Sequence, residues 1–135
     1  MIFQYALGCT CDPSRMDTKE QMHAVVGTAL KGARAVFTGE VIVSSDSETK
    51  IRVDHIWKGE FPDKLAVIAG AEKISVHVAV GDGCQFVFRT GEKYLVFATK
   101  EGNNFKVHKC SLTNYQDKSK HVILMLDQIS AEKEK

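Results

Sequence analysis

The sequence lacks several features that would place it in a class at once. No apolar run approaches the roughly 20 residues that span a bilayer, so no transmembrane helix is expected. Charge of one sign is not in excess, because the sequence contains 18 Lys and Arg and 17 Asp and Glu residues, which gives a net charge of +1. Without a strong positive field, general nucleic-acid binding is disfavoured. Only two prolines and ten glycines occur, which excludes a collagen-like or low-complexity chain.

The chain does have enough apolar residues for one hydrophobic core. Hydrophobic residues make up 44% and charged residues 26% of the sequence, which is typical of a globular domain. Its 135 residues suffice for one domain and are too few for two ordinary ones. We therefore expect a single domain over residues 9–130, preceded by an extension over 1–8 and followed by a frayed, charged tail over 131–135.

The first eight residues are apolar, but they contain no basic residue after Met1 and are short for the core of a signal peptide. Two interpretations stay open. The segment is either the remnant of a leader, which places Cys9 at or near the mature N-terminus, or an ordinary first strand. The string Ala6-Leu7-Gly8-Cys9 also has a loose similarity to a bacterial lipoprotein cleavage site, but lipid anchoring is the less favoured alternative because such sites usually carry Leu where Ala6 stands.

Four cysteines, Cys9, Cys11, Cys84 and Cys110, allow two disulfides, a zinc site or free thiols. Zinc is disfavoured, because structural zinc sites usually draw their ligands in close pairs from two knuckles. A bond between Cys9 and Cys11 would close a small, strained ring, so two crossed connectivities remain open. In either connectivity, two disulfides attach the N-terminal segment to the rest of the domain. Such bonds persist in oxidising compartments, which predicts a secreted or periplasmic protein.

Residue periodicity predicts a helix at each end of a set of short strands. Asp17 is the expected cap of the first helix with Glu20 three residues on, and Gly32 is its expected end. Its apolar stripe consists of Met22, Val25, Val26, Ala29 and Leu30. Alternation predicts strands over 35–43, 49–57, 64–69, 74–80, 93–99 and 105–110, and a last helix over 118–130 that buries Val122, Met125, Leu126 and Ile129. The pattern indicates a mainly β, α+β domain with a small closed barrel and flanking helices.

No arrangement of side chains typical of an enzyme was found. The turn Gly81-Asp82-Gly83-Cys84 could hold a nucleophile, but a thiol in a disulfide cannot attack. We predict no catalytic residue and no cofactor. The five histidines lie in different elements without a helical i, i+4 pair, so no metal site of the chain's own is expected. Four aromatic residues, Phe86, Phe88, Tyr94 and Phe97, are predicted to fill the barrel interior, and Trp57 to pack in the core or at its rim.

Several strings occur in a characteristic order between Cys9 and Ile129. They are Cys9-Thr10-Cys11, Ala35-Val36-Phe37-Thr38-Gly39 after a helix, Ile56-Trp57-Lys58-Gly59, Cys84 ahead of Phe86 and Phe88, the run from Gly91 to Ala98, and Cys110-Ser111-Leu112-Thr113. Together they resemble the netrin-like domain family, and within it the N-terminal domain of tissue inhibitors of metalloproteinases and its single-domain bacterial relatives. The resemblance implies a five-stranded OB-type barrel with flanking helices. It also implies the disulfides Cys9–Cys84 and Cys11–Cys110.

The resemblance further implies an inhibitory ridge formed by Cys9, Thr10 and Cys11. In the animal inhibitors the first cysteine chelates the zinc of the protease through its α-amine and carbonyl oxygen, and the next side chain enters the specificity pocket. The chain departs from that pattern, because eight residues precede Cys9 and a further disulfide of the animal domain is absent. With residues 1–8 attached, the Cys9 nitrogen is an amide and chelation is blocked, so inhibition is expected only where Cys9 is the mature N-terminus.

The expected function is therefore that of a non-catalytic, monomeric, protein-binding module whose partner is a protein such as a zinc metalloproteinase. The alternative is an envelope or extracellular scaffold domain with no protease partner. Oligonucleotide binding, which OB-type folds also support, is disfavoured by the near-neutral charge and the bridged cysteines.

Overall fold

The computed structural model describes residue 11 and residues 16–44, 49–59, 75–77, 86–101 and 104–133. The elements in chain order are α1 (Lys19–Gly32), β1 (Ala35–Ser44), β2 (Thr49–Gly59), β3 (Ser75–His77), β4 (Lys93–Glu101), β5 (Asn104–Lys106), β6 (Asn114–Tyr115), a 3-10 helix (Gln116–Lys118) and α2 (Lys120–Lys133). The predicted α+β class is confirmed. The strand predicted over 64–69 and most of the one over 74–80 lie outside the described residues.

The strands form one curled antiparallel sheet, a half-barrel, with the order β3-β2-β1-β4-β5 and with β6 on β4. β1 and β2 are the predicted hairpin, with Ala35 opposite Gly59 and Ser44 opposite Thr49. The two ends of the sheet, β3 and β5, approach each other to within 8 Å between Cα atoms. No ladder joins them within the described ranges, so the sheet is described as a half-barrel and not as a closed one.

Gly39 allows β1 to bend between its two neighbours. The β1–β2 register shifts at three places, one of them between Thr38 and Gly39, and such bulges increase the local twist of a strand. A Cβ atom on Gly39 would lie 2.6 Å from the Arg52 carbonyl oxygen and 2.6 Å from Ile51 Cγ2. The curvature of the sheet therefore depends on a residue without a side chain at this position.

α1 begins one residue later than the sequence predicted. Thr18, not Asp17, is the N-cap: its hydroxyl accepts from the Gln21 N–H at 3.1 Å, and Gln21 Oε1 accepts from the Thr18 N–H at 3.2 Å. Both Asp17 with Glu20 and Thr18 with Gln21 have the three-residue spacing of a capping box. The structure forms the box from Thr18 and Gln21, which make both of its reciprocal hydrogen bonds. The helix ends at Gly32, as predicted.

The core has two layers, which lie on opposite faces of β4. Tyr94, Val96 and Ala98 face the inside of the curled sheet, whereas Leu95 and Phe97 face the helices. Phe86 and Phe88 pack inside the sheet as predicted. The prediction for Phe97 is wrong, since side chains alternate along a strand and residues 94 and 97 cannot share a face.

The C-terminal part differs most from the prediction. The strand expected over 105–110 ends at Lys106, and Cys110 lies in a turn. β6 and the 3-10 helix were not predicted. α2 starts at Lys120 and continues to Lys133, so residues 131–133 of the expected tail are helical; its buried residues are the four that the apolar stripe predicted. Of the α-helices in the described part of the chain, none has the length and apolar character needed to cross a membrane.

Candidate functional site

Cys11 is joined to Cys110 by a disulfide, with Cα atoms 5.2 Å apart across a sequence separation of 99 residues. This is one of the two bonds that the resemblance implies. Both residues are exposed at the surface. Of the predicted ridge, Cys11 is described, whereas Cys9 and Thr10, together with Cys84, lie outside the described residues.

The turn that carries Cys110 is fixed by His108. The Cys110 N–H donates to His108 Nδ1 at 3.0 Å, and the Ser111 N–H donates to the His108 carbonyl oxygen at 3.0 Å. The Ser111 hydroxyl also donates to that carbonyl at 2.7 Å. Because Nδ1 accepts a hydrogen bond, the neutral ring carries its proton on Nε2. His108 is thus a structural residue of the turn and not a free ligand.

Thr113 links this turn to the middle of the sheet. Its buried hydroxyl oxygen accepts from the Phe97 N–H on β4 at 2.8 Å, and it lies 2.9 Å from the Ser111 hydroxyl. A chain of contacts therefore runs from Cys11 through the disulfide, the turn and Thr113 to Phe97. Buried backbone N–H groups need a partner, so Thr113 completes the hydrogen bonding of β4 where no neighbouring strand does so.

A shallow groove of about 380 Å³ lies beside the disulfide. One wall is the exposed side of α1, and the other is the segment that follows the disulfide; the lining residues are Ala24, Val25, Thr28, Ala29, Cys110, Ser111 and Leu112. The lining is mostly apolar. The described end of the predicted ridge is therefore bordered by apolar surface that a partner protein could cover.

Tyr94 is a titratable group inside the curled sheet. Its side chain is fully buried among Phe86, Phe88 and Tyr115, and its hydroxyl accepts from the Arg89 N–H at 2.9 Å. Burial raises the pKa of Tyr94, because an anionic phenolate is disfavoured away from water. The group lies in the core and supports packing.

The histidines do not converge within the described part of the chain. His23 on α1 lies 3.0 Å from Glu132 on α2, and His55 packs edge-on against Trp57 with ring centroids 4.4 Å apart. The β2–β3 register pairs His77 with Lys50, five positions from His55 along β2. Among the described residues, no three His, Cys, Asp or Glu side chains are grouped so that they could hold a metal ion.

Two residues near the end of β2 connect the sheet to the helices. Trp57 is half-buried against the helical layer, and its Nε1–H donates to Asp127 Oδ1 on α2 at 2.8 Å, which agrees with the predicted packing role. The ammonium group of Lys58 donates to the carbonyl oxygens of Leu30 and Lys31 at 3.0 and 3.1 Å. Lys58 thereby satisfies carbonyls at the C-terminus of α1.

No family model matched the chain, and the search of curated proteins found no match either.

Proposed function

We propose that the chain is a non-catalytic, secreted or periplasmic protein-binding module of the netrin-like kind, and that Cys9, Thr10 and Cys11 form its partner-binding ridge. The observation that carries the proposal is the attachment of Cys11 to the sheet. A segment held only by its own backbone would lose conformational entropy when a partner binds. The covalent bond to Cys110, and the hydrogen bonds from that turn to β4, reduce this cost in advance.

The strand arrangement supports an OB-type barrel. Each of the four pairs along the described sheet is antiparallel, so β1, β3 and β5 run in one direction, and β2 and β4 run in the other. The ends of the sheet, β3 and β5, are therefore parallel to each other and lie close together. We propose that they close the barrel in the order β1-β2-β3-β5-β4, with the second disulfide, Cys9–Cys84, fixing the other end of the ridge.

The proposed inhibitory chemistry requires a free α-amine on Cys9. A neutral amine and the adjacent carbonyl oxygen are both competent zinc ligands, and together they can displace the catalytic water of a metalloproteinase. When residues 1–8 precede Cys9, the same nitrogen is an amide and its lone pair is delocalised. Removal of those residues therefore decides whether the module inhibits or only binds.

The test compares three proteins that differ only at this point: a chain beginning at Cys9, the same chain with one Ala before Cys9, and the full chain. Each is titrated against a matrix-type zinc metalloproteinase. We expect stoichiometric inhibition by the first protein alone, because the Cys9 nitrogen is an amide in the other two. Disulfide mapping by mass spectrometry under non-reducing conditions should show Cys9–Cys84 beside Cys11–Cys110 in all three.

Three results would contradict the proposal in different ways. Equal inhibition by all three proteins would exclude chelation by the Cys9 amine. No inhibition by the chain beginning at Cys9 at micromolar concentration would exclude the protease partner and favour the alternative of an envelope or extracellular scaffold domain. Free thiols at all four cysteines would exclude the covalently fixed ridge and would argue against an oxidising compartment.

A further inference from the structure

A second and larger groove lies where the C-terminal segment meets the turn before β4. Its volume is about 800 Å³, which falls in the range of ligand-binding clefts. The turn at Gly91, β6, the 3-10 helix and the first turn of α2 form its walls. It shares no lining residue with the groove beside the disulfide, so it is separate from the proposed ridge.

One cation in this groove, the Lys118 ammonium group, contacts an aromatic ring that stacks on a core residue. Tyr115 stacks on the buried Tyr94 with ring centroids 4.9 Å apart, and the Lys118 ammonium lies 5.4 Å from the centre of the Tyr115 ring. Contacts between a cation and an aromatic ring are favourable at this distance. Lys118 therefore lies beside an aromatic stack that begins in the core.

Two more lysines, Lys93 and Lys120, line the groove from β4 and α2. No described carboxylate lies within ion-pair distance of Lys93, Lys118 or Lys120. The two described carboxylates that line the groove, Glu92 and Asp117, form no ion pair with these lysines. The three ammonium groups therefore remain available to an anionic ligand, although the overall charge of the chain is only +1.

The groove also offers acceptors. Glu92 and Asp117 line it with their carboxylates. A ligand that pairs with both the ammonium groups and the carboxylates of the groove must carry negative charge together with N–H donors. A peptide rich in Glu and Asp has both, whereas the phosphodiester backbone of a nucleic acid carries negative charge but no N–H donor for the two carboxylates.

We propose that this groove binds an acidic segment of a partner protein, with carboxylates on Lys93, Lys118 and Lys120 and backbone N–H groups on Glu92 and Asp117. The site is independent of zinc chelation and of the state of residues 1–8. It would give the module a second contact, which raises affinity when both contacts can be made by one partner.

The experiment uses the full chain and fluorescent hexaglutamate, with single-stranded hexathymidylate as a nucleic-acid probe. Binding is followed by fluorescence anisotropy at low ionic strength. The variant Lys118→Gln/Lys120→Gln should weaken hexaglutamate binding about tenfold, since it removes two exposed ion pairs. The control Lys31→Gln/Lys133→Gln removes the same charge from exposed sites outside the groove and should leave binding within about twofold of the parent.

A readout without mutations accompanies these measurements: hexaglutamate should shift the backbone amide resonances of Lys118 and Lys120 in the parent protein. Saturable binding that is weakened only by the groove variant supports the proposal. The proposal is overturned if hexaglutamate does not bind saturably, if both double variants weaken binding equally, or if hexathymidylate binds as tightly as hexaglutamate. None of these outcomes depends on protease inhibition, so this inference and the proposed function can fail separately.

Discussion

Tyr115 lies directly opposite Tyr94 in the β4–β6 ladder, and the two rings stack with an interplanar angle of 26°. This pairing joins a two-residue strand to the central part of the core. It sets where the 3-10 helix and α2 leave the sheet, since both follow Tyr115 directly. The large groove and the Lys118 ammonium group therefore depend on a contact between two tyrosines.

The first prediction concerns alkaline pH. Burial raises the pKa of Tyr94 in the folded state, so the unfolded chain loses this proton first as the pH rises. The contribution of Tyr94 to the free energy of unfolding should be fully present below about pH 10, the ordinary tyrosine value, and be lost as the pH rises through its folded pKa. Urea titrations between pH 8 and about pH 11 test this. Tyr94→Phe should reduce the fall of the free energy of unfolding with rising pH, and Tyr115→Phe should retain that fall. An equal pH dependence for the parent and Tyr94→Phe would contradict the assignment of the effect to Tyr94.

The second prediction concerns Thr113. Thr113→Val keeps the shape of the side chain but leaves the buried Phe97 N–H without its acceptor. We expect a loss of about 2 kcal/mol in the free energy of unfolding. Thr99→Val is the control, because Thr99 is exposed and its hydroxyl makes a longer, 3.3 Å contact to Lys106. Chemical denaturation should show little change for the control, and equal losses for the two variants would refute a special role for Thr113.

The third prediction contrasts two glycines. Gly39→Ala places a methyl group against the backbone of Arg52, so we expect a loss of about 2 kcal/mol or more. Gly27→Ala lies inside α1, where the nearest atom to the new methyl group, Ile129 Cδ1, is 4.0 Å away. It should stabilise the protein by about 0.5–1 kcal/mol. Thermal unfolding measures both variants. Midpoints that move in the same direction would contradict the conclusion that β1 requires a residue without a side chain at position 39.

The fourth prediction concerns the described disulfide. Replacing Cys11 and Cys110 together by Ala opens a loop with a sequence separation of 99 residues. The chain-entropy model gives a loss of about 4 kcal/mol for a loop of this size. Denaturation of the oxidised parent and the double variant measures the difference. When both proteins are fully reduced, their stabilities should converge, and an equal stability of the oxidised parent and the oxidised variant would show that the Cys11–Cys110 bond contributes little.

Periodicity predicted the long elements well, because each has an extended apolar face. The four buried residues of α2 and the β1–β2 hairpin follow directly from spacing. The cap of α1 was misplaced by one residue, since Asp17 and Thr18 are adjacent and both are good caps. β6 is two residues long and has no measurable period, so only its pairing with β4 defines it.

The candidate site was less predictable than the fold. The residues alone left two crossed connectivities, and only the family resemblance selected Cys11–Cys110. The string Cys110-Ser111-Leu112-Thr113 was noted for that resemblance, yet it does not show that Thr113 bonds to Phe97, because this contact depends on tertiary placement. The side assigned to Phe97 could have been corrected from the sequence, since an odd separation from Tyr94 puts it on the opposite face.

The disulfide also divides the chain mechanically. A force that pulls on the two ends passes from Cys11 directly to Cys110, so β1 to β5 and α1 lie in a covalent loop that cannot be extended. Only the parts outside the loop, chiefly β6 and α2, can be pulled free. Single-molecule stretching should therefore release only β6, the 3-10 helix and α2 under oxidising conditions, and the whole sheet after reduction. Full extension without a reductant would exclude this shielding.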